Sequence, residues 1–340
     1  MILVTGGAGY IGSHTLLALR ERGDEVVVID DLSEGHKEAL LGARHELGTL
    51  LDLDFVDAVF KRYPIRAVVH FAARCYVGES VHKPGLYWRG NVLATLHLLE
   101  TMARYQVPSL VFSSTCATYG EPERQPITED APQKPVNPYG ETKLACERMM
   151  RDFGKAHGIA TVALRYFNAA GADPAGRLGE DHDPETHLIP LVLQAASGVR
   201  DKVTVFGSDY PTRDGTCIRD YIHICDLASA HVLALDALGS GRLGGFQAFN
   251  LGNERGNTVL EVIASAERAT KRKVPYVIGA RRAGDPPMLV GSSELARKEL
   301  GWQPRFPDID SIVATAAAWF TRRPKGYSTG YSAPATGGPT

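Results

Sequence analysis

"VTGGAGYIGSH", residues 4–14, decides the fold. Gly7, Gly9 and Gly12 fit G-x-G-x-x-G, and Gly6, Gly9 and Gly12 equally fit the shifted form G-x-x-G-x-x-G. Glycines at these positions permit a tight turn, close approach of a pyrophosphate to the backbone, and close packing of helix on strand. The apolar run "MILVT" (1–5) precedes the loop, and the helical pattern "IGSHTLLALRERG" (11–23) follows it, with Gly23 placed to cap its end. A helix start there presents free N–H groups and a positive dipole end to phosphates. The second strand, "EVVVID" (25–30), ends in Asp30. A carboxylate about 20 residues beyond such a loop accepts hydrogen bonds from the adenosine ribose. It also repels a 2′-phosphate, which favours NAD over NADP. The competing reading, a plain tight turn beside a solvated acid, does not account for strand, loop, helix and acid in that order. His14, inside the helix, reads as an ordinary packed or surface histidine.

Outward from the loop, apolar runs alternate with helical patterns. "HELGTLLDL" (45–53) reads as a weaker strand, and "AVVHFAA" (67–73) and "SLVFSST" (109–115) as stronger ones, the last two separated by a long helical pattern over 86–105. A helix is expected over 139–158 and a strand over 159–167. Continuously apolar strands indicate a parallel sheet covered on both faces, hence a doubly wound, Rossmann-type α/β fold. After residue 168 the pattern loosens, and Gly, Pro and Asp crowd 171–184 as in loops around a site. The expected division is an NAD-binding domain over 1–168, completed by segments from about 219–251. A smaller mixed α/β substrate-binding unit, interleaved with it, occupies 169–322, and a loose tail runs over 323–340.

The chain has 340 residues, with 37 Lys plus Arg against 39 Asp plus Glu. It shows no basic run of the kind that binds nucleic acid, and no apolar stretch near the ~18 residues of a membrane span. No signal peptide is expected from its first residues. Cys75, Cys116, Cys146, Cys217 and Cys225 show no C-x-x-C pair and no metal-ligand spacing with histidine. Free thiols, a cytoplasmic location and no metal are expected.

"NPYGETK" (137–143) places Tyr139 and Lys143 one turn apart on a helix. Alone, that pair is common in ordinary helices. Beside a nicotinamide it acquires chemistry, because hydride removal from an alcohol carbon needs a base for the hydroxyl proton. An ammonium near a phenol stabilises the phenolate. Thr115, at the end of the fifth strand in "FSSTCATYG", is the candidate hydroxyl partner, with Ser114 the alternative.

These motifs carry a family resemblance. "TGGAGYIGSH", "HFAA", "VGES", "FSST–ATYG", "PYGETK", "LRYFN", "HLIP", "FGSDYPTRDGTCIRDYIH" and "RRAGDPP" occur in this order, and the chain resembles the UDP-glucose 4-epimerase family of the extended short-chain dehydrogenases/reductases from residue 1 to about 322. The resemblance implies NAD retained through turnover and UDP-hexose as substrate. It implies a homodimer built by the helices at 86–105 and 139–157. Tyr139, Lys143 and Thr115 match the catalytic set, with threonine in place of the serine of some members. Implied cofactor contacts are Gly6, Gly7, Gly9, Tyr10, Ile11, Gly12, Asp30 and Asp31. Asp52, Leu53, Phe71, Ala72, Ala73, Asn91, Tyr139, Lys143 and Tyr166 complete that set. Implied substrate contacts are Thr115, Asn168, His187, Leu188, Thr204, Phe206, Arg219, Arg282, Asp285 and Leu289. Arginine suits a pyrophosphate because its planar fork donates two hydrogen bonds at once. Read from residues alone, Arg219 and Arg282 could be surface ion pairs, Phe71 and Phe206 core, and Asp52 a turn residue; His70 and His223 read as structural.

Three departures stand out. Cys75 lies where some epimerases carry a lysine near the cofactor, and Cys116 follows Thr115. His187 stands where some members place asparagine. Leu289 occupies a position that gates the sugar pocket, where tyrosine accompanies unacetylated sugars and a small residue admits N-acetylhexosamines. Leucine is intermediate in volume, so UDP-GlcNAc and UDP-GalNAc enter as expected further substrates. Rival readings are a 4-epimerase of UDP-pentoses or UDP-glucuronate, a nucleotide-sugar 4,6-dehydratase, and a non-catalytic NAD-binding regulator. Related dehydratases carry Thr-Asp-Glu where this chain has Thr115-Cys116-Ala117, and regulators typically lose the Tyr/Lys pair.

Overall fold

In a computed structural model, the structure describes residues 1–282 and 286–328. Seven strands form the main sheet: β1 (Ile2–Thr5), β2 (Val26–Asp30), β3 (Arg44–Leu47), β4 (Ala67–His70), β5 (Ser109–Thr115), β6 (Ala160–Tyr166) and, far along the chain, β11 (Phe246–Leu251). Their order is β11-β6-β5-β4-β1-β2-β3 and every pairing is parallel. β1, β2, β4 and β5 are buried along their whole length, as apolar strands must be when helices cover both faces. On one face lie α1 (Tyr10–Glu21) and α8 (Ile224–Gly239); on the other lie α2 (Leu53–Arg62), α5 (Ala94–Arg104) and α6 (Pro138–His157). The order reverses at β1, between β4 and β2. The crevice beyond the carboxyl ends of those strands is where doubly wound sheets bind ligands.

Two stretches differ from the sequence reading. The expected strand at 45–53 ends at Leu47, because Asp52 caps α2 by accepting the Phe55 N–H at 3.0 Å. The helix expected over 86–105 is broken into α4 (Pro84–Tyr87), a π-helical turn (Trp88–Leu93) and α5, after a short α3 (Val77–His82). The π turn carries Asn91 inward, where its amide donates to the Arg74 carbonyl and Thr142 Oγ1 and accepts from the Arg74 N–H.

The second unit holds β7 (Asn168–Ala170), α7 (Leu188–Ser197), β8 (Val203–Phe206), β9 (Ile218–Arg219) and β10 (Tyr221–His223). Beyond β11 come β12 (Asn257–Thr258), α9 (Val259–Thr270), β13 (Tyr276–Gly279), β14 (Met288–Leu289), α10 (Glu294–Leu300) and α11 (Ile309–Arg322). Its strands form three small sheets, β10-β7, β12-β9-β14 and β13-β8, and α7, α9 and α11 share its core. The chain returns twice to the first unit. α8 and β11 complete the large sheet's layers, and later α10 and Trp302 pack into the same core, the Trp302 indole donating to the Asp226 carbonyl at 2.9 Å. The second return falls within the stretch expected to be mainly substrate-binding. The tail expected to be loose from 323 is packed through residue 328. Tyr327 is buried against Trp319, and its hydroxyl bonds the Gly179 carbonyl.

Four histidines are buried and held neutral: burial pushes His14 and His231 down to about 4, and His70 and His223 down to about 3. His70 bridges Thr5 and Thr95, and His223 accepts the Cys225 N–H and stacks on Phe306. Each has a folded-state pKa below its unfolded value of about 6.5. As pH falls below that value, the unfolded chain takes up protons that the folded chain refuses, so stability is lost. Each histidine contributes a slope of roughly 1.4 kcal/mol per pH unit between about 6.5 and 4. Urea melts across that window should show a steep loss, and His70→Gln should flatten it. A stability that holds constant from neutrality to pH 4.5 would contradict this account.

Candidate active site

The glycine loop joins β1 to α1 at the carboxyl edge of the sheet. Gly6 has φ +72°, and a Cβ there would lie 2.5 Å from the Ala72 nitrogen. A Cβ on Gly12 would meet the Gly6 carbonyl oxygen at 2.0 Å, so helix and loop are packed backbone to backbone. Gly9 differs, since a Cβ there would meet nothing nearer than that same oxygen at 3.5 Å. Its glycine is not required by protein neighbours; the space faces the start of α1, where no side chain caps the first turn. Open space beside uncapped amides suits a phosphate. Asp30 is buried; its Oδ2 accepts the Ala8 N–H at 2.9 Å and its Oδ1 the Leu32 N–H at 2.8 Å. The acid braces the loop while each oxygen keeps a second acceptor position. Burial raises its pKa and the two amides lower it. These residues fit an NAD: loop and helix start for the pyrophosphate, Asp30 for the adenosine ribose.

The other implied cofactor residues divide. Phe71, Ala72 and Ala73 run past Gly6 from the end of β4, the Phe71 ring 4.7 Å from that of His231. Tyr10 donates to the Gly171 carbonyl at 2.7 Å, and Ile11 packs on the core. Asp31 is exposed and accepts the Ser33 N–H. Asp52 is an exposed helix cap with Leu53 half-buried behind it, and the Asn91 amide is fully engaged within the protein.

β5 carries the hydroxyls and α6 the tyrosine. Asn137 caps α6 by accepting the Gly140 N–H at 2.9 Å, and Pro138 takes the first helical position, which sets Tyr139 at the opening turn. Enclosure by protein pushes the Tyr139 phenol well above its usual range, and a hydrogen bond to Thr115 pulls it down. Ser114 is consumed elsewhere, its Oγ donating to Glu147 at 2.7 Å. Tyr166 closes the far side, its hydroxyl bonded to Ser113. Lys143 departs from expectation. Its ammonium donates to the Ser113 carbonyl at 2.8 Å and lies 4.7 Å over the Phe112 ring, and among the described residues no bond joins it to Tyr139. One turn puts both on one face, but the four-carbon stem carries the ammonium to the strand instead. Burial lowers Lys143 to about 8. Both nearby thiols are pushed up by desolvation, Cys116 to about 12, which leaves them protonated, although Cys116 is half-buried and Cys75 reaches the surface.

On the substrate side, β14 lies beside β9 with Leu289 opposite Arg219, and Arg219 is close enough to Cys116 to pull its thiol pKa down. Thr204 and Phe206 share the exposed face of β8, and the Arg282 guanidinium sits 4.1 Å over the Phe206 ring. Asn168 donates to the Asp220 carbonyl at 2.8 Å. His187 is the residue before α7 and Leu188 its first member. Asp285 lies outside the described residues. The sequence reading passed over Glu180, His182 and Glu185, which gather around His187. Burial works against charge on the two imidazoles, but the carboxylates outweigh it, lifting His182 to about 9 and His187 to about 11. The signal was the E-x-H-x-x-E-x-H spacing in "EDHDPETH" (180–187), inside a stretch taken only as loop.

Residues 2–252 match the NAD dependent epimerase/dehydratase family. The chain belongs to that family. Among curated members, the UDP-glucose 4-epimerase of Halalkalibacterium halodurans is 52% identical over 328 residues, 96% of this chain and 98% of that protein. The solved UDP-glucose 4-epimerase of Brucella ovis in complex with NAD superposes with a TM-score of 0.91 at 50% identity, over 94% of this chain and 98% of that one. That of Bifidobacterium longum, in complex with NAD+ and UDP, gives 0.90 at 38% identity over 96% and 99%. Within this epimerase/dehydratase framework, one buried ion pair sets the spacing of the site. Arg165 of β6 grips Glu147 of α6 with two bonds, 2.9 and 2.6 Å, with side chains 2% and 0% exposed. Arg165→Leu should leave the buried Glu147 charge with only the half-exposed Arg151 at 3.8 Å and lower the unfolding free energy by about 3–5 kcal/mol in urea melts. A loss below about 1 kcal/mol would show the pair to be incidental.

Proposed function

We propose that this chain interconverts UDP-glucose and UDP-galactose at C4, using an NAD that stays bound. The observation that carries the reading is the enclosed Tyr139 phenol, with the Thr115 hydroxyl as its neighbour, at the same sheet edge as the glycine loop. When bound, NAD takes a hydride from C4 of the hexose, giving a 4-keto sugar, and returns it to the opposite face. Tyr139 removes the proton from the 4-hydroxyl and later restores it. Thr115 fixes the phenol and the sugar oxygen. Lys143, tied to the Ser113 carbonyl, supplies positive charge near the phenol. Arg219 and Arg282 hold the anionic diphosphate, and Phe206 offers a ring face to the uracil. Binding energy remote from C4 anchors the nucleotide while the sugar turns.

The dehydratase reading needs an acid and a base beside Thr115; Cys116, pushed up to about 12, and Ala117 offer neither. The pair Tyr139 and Lys143 speaks against a non-catalytic regulator. We further assign a homodimer through α3 to α6, where Val77, Val81, Trp88 and Leu93 stand exposed. Among the described residues no helix is long and apolar enough to cross a membrane, and five free cysteines fit a reducing cytoplasm.

Purified chain given UDP-galactose without added NAD should form UDP-glucose, resolved by ion-exchange chromatography. Silence with and without added NAD would overturn the reading, and turnover of UDP-pentoses or UDP-glucuronate alone would reassign the sugar. Tyr139→Phe should lower kcat at least about 100-fold while the protein retains its nucleotide absorbance; near-normal turnover would remove Tyr139 from the chemistry. Leu289 is half-buried opposite Arg219, and its volume leaves room for an N-acetyl group. UDP-GlcNAc should therefore be epimerised, and Leu289→Tyr should abolish that turnover while sparing UDP-galactose. Failure of the wild-type chain with both N-acetyl sugars would sink this extension.

A further inference from the structure

The segment leading into α7 holds four ligand atoms within 4.8 Å of one another, from Glu180, His182, Glu185 and His187. His187 Nδ1 lies 2.8 Å from Glu185 Oε1 and 2.9 Å from Glu180 Oε1. His182 Nδ1 lies 3.3 Å from Glu180 Oε1 and 3.7 Å from Glu185 Oε2. Four donors about 2.0–2.1 Å from a tetrahedral ion stand roughly 3.3 Å apart, so side chains whose ligand atoms already lie within 4.8 Å of one another need only small shifts to close such a shell.

Two features distinguish the cluster from a run of charged loop residues. The Glu180 side chain is 5% exposed, yet its buried Oε1 makes no hydrogen bond although it faces both imidazoles, and His182 Nδ1 is likewise buried without one. Glu185 divides its work: Oε1 accepts the N–H groups of Thr186 and His187, both at 2.7 Å, while Oε2 is left toward His182. Apart from the 2.8 Å bond between His187 Nδ1 and Glu185 Oε1, the lone pairs face a common point, with Glu180 Oε1 and His182 Nδ1 left unbonded. Two carboxylates this deeply buried require two compensating positive charges. Two imidazolium ions supply them, but with Glu180 Oε1 poorly bonded. One divalent ion supplies them equally, with both imidazoles neutral and donating lone pairs.

We propose that Glu180, His182, Glu185 and His187 form a binding site for one divalent transition-metal ion of the zinc class. Two nitrogens and two oxygens suit zinc, cobalt or manganese over calcium or magnesium, which take oxygen shells. Charge balances: the incoming ion displaces the two imidazolium protons to solvent. Its structural effect is to fasten residues 180–187 and the start of α7 beside Tyr10 and Tyr76, whose rings stand edge-on to His182 at 6.1 and 6.3 Å. His187 and Leu188 are thereby positioned for the substrate, so the ion acts by placing residues and takes no part in the proton or hydride steps.

The test uses the full chain, stripped with a chelator and then freed of it. Titrated with Co2+, it should develop the intense visible absorption of four-coordinate cobalt, saturating at one ion per chain. Zn2+ should bleach that absorption and give a one-site isotherm by calorimetry. His182→Gln and Glu185→Gln should each weaken binding at least about 100-fold, since loss of an outer-shell partner alone costs up to that much. Circular dichroism confirms that each variant is folded. Absence of both the cobalt spectrum and zinc heat in the folded wild-type chain overturns the proposal, whatever the variants do. Binding that persists in the folded variants places the metal on other histidines and overturns it equally.

Discussion

The bidentate bond between Arg165 and Glu147 is the constraint on which the site depends. It crosses from β6 to α6, and Ser114 of β5 donates to the same carboxylate. Burial opposes the Glu147 charge, but Arg165 and Ser114 hold its carboxyl below the usual range. Arg165 also donates to Tyr119, whose hydroxyl reaches Asn250 of β11. Three strands are therefore locked near their carboxyl ends, and α6 at its middle, by one satisfied polar network. Such a network is expensive to bury and intolerant of loss, because every partial version leaves a desolvated charge. Its consequence for chemistry is positional. Thr115 follows Ser114 directly, and Tyr139 stands two helical turns before Glu147, so the hydroxyl and phenol inherit their spacing from the pair beneath them.

Interleaving extends this rigidity to the substrate side. Asp220, between β9 and β10, accepts N–H groups from Asn253, Glu254 and Gly291, which belong to stretches far apart in the chain. Arg219 is its neighbour, and Leu289 pairs with Arg219 across the strands. Arg219, proposed to grip the diphosphate, and Leu289 are thus mounted on the same backbone knot that ties the second unit to the sheet. A hinge between two separate lobes would leave the sugar's distance from Tyr139 undefined. Here the chain crosses between units repeatedly, through α8, β11 and α10, and the distance is built in.

Much of this was legible in the sequence, for physical reasons that differ by element. The seven-stranded parallel sheet follows from continuous apolar runs, and the glycine loop from contacts at Gly6 and Gly12 that no side chain can occupy. The choice of Thr115 over Ser114 was stated from strand position and rests, in the structure, on where Ser114 spends its hydrogen bond. What was not legible depends on partners distant in sequence. The amide of Asn91 is bound by Arg74 and Thr142, and Asp52 turned from a strand residue into a helix cap. Tyr327 found a buried seat against Trp319 in a stretch with no periodic pattern. The Glu180 cluster was missed for the opposite reason: its members are close in sequence, but loop composition masked a spacing that only a folded backbone makes convergent.

The electrostatics of the site are unfinished in the protein alone, and that incompleteness bears on how a keto intermediate is kept. Enclosure holds the Tyr139 phenol protonated, and Lys143, lowered to about 8, has spent its nearest donor on a carbonyl. A phenol with a pKa far above its usual value is a poor base at neutral pH. Positive charge added to the pocket favours the phenolate, the form that can accept a proton, and loss of that charge favours the phenol. An oxidised nicotinamide carries such a charge and a reduced one does not. The oxidised ring would thus favour the phenolate, the form able to take the sugar's proton, and its reduction would favour the phenol that holds that proton until hydride returns. The same burial that makes the resting phenol inert thus couples proton position to redox state within one closed site, with no residue needed to enforce the order.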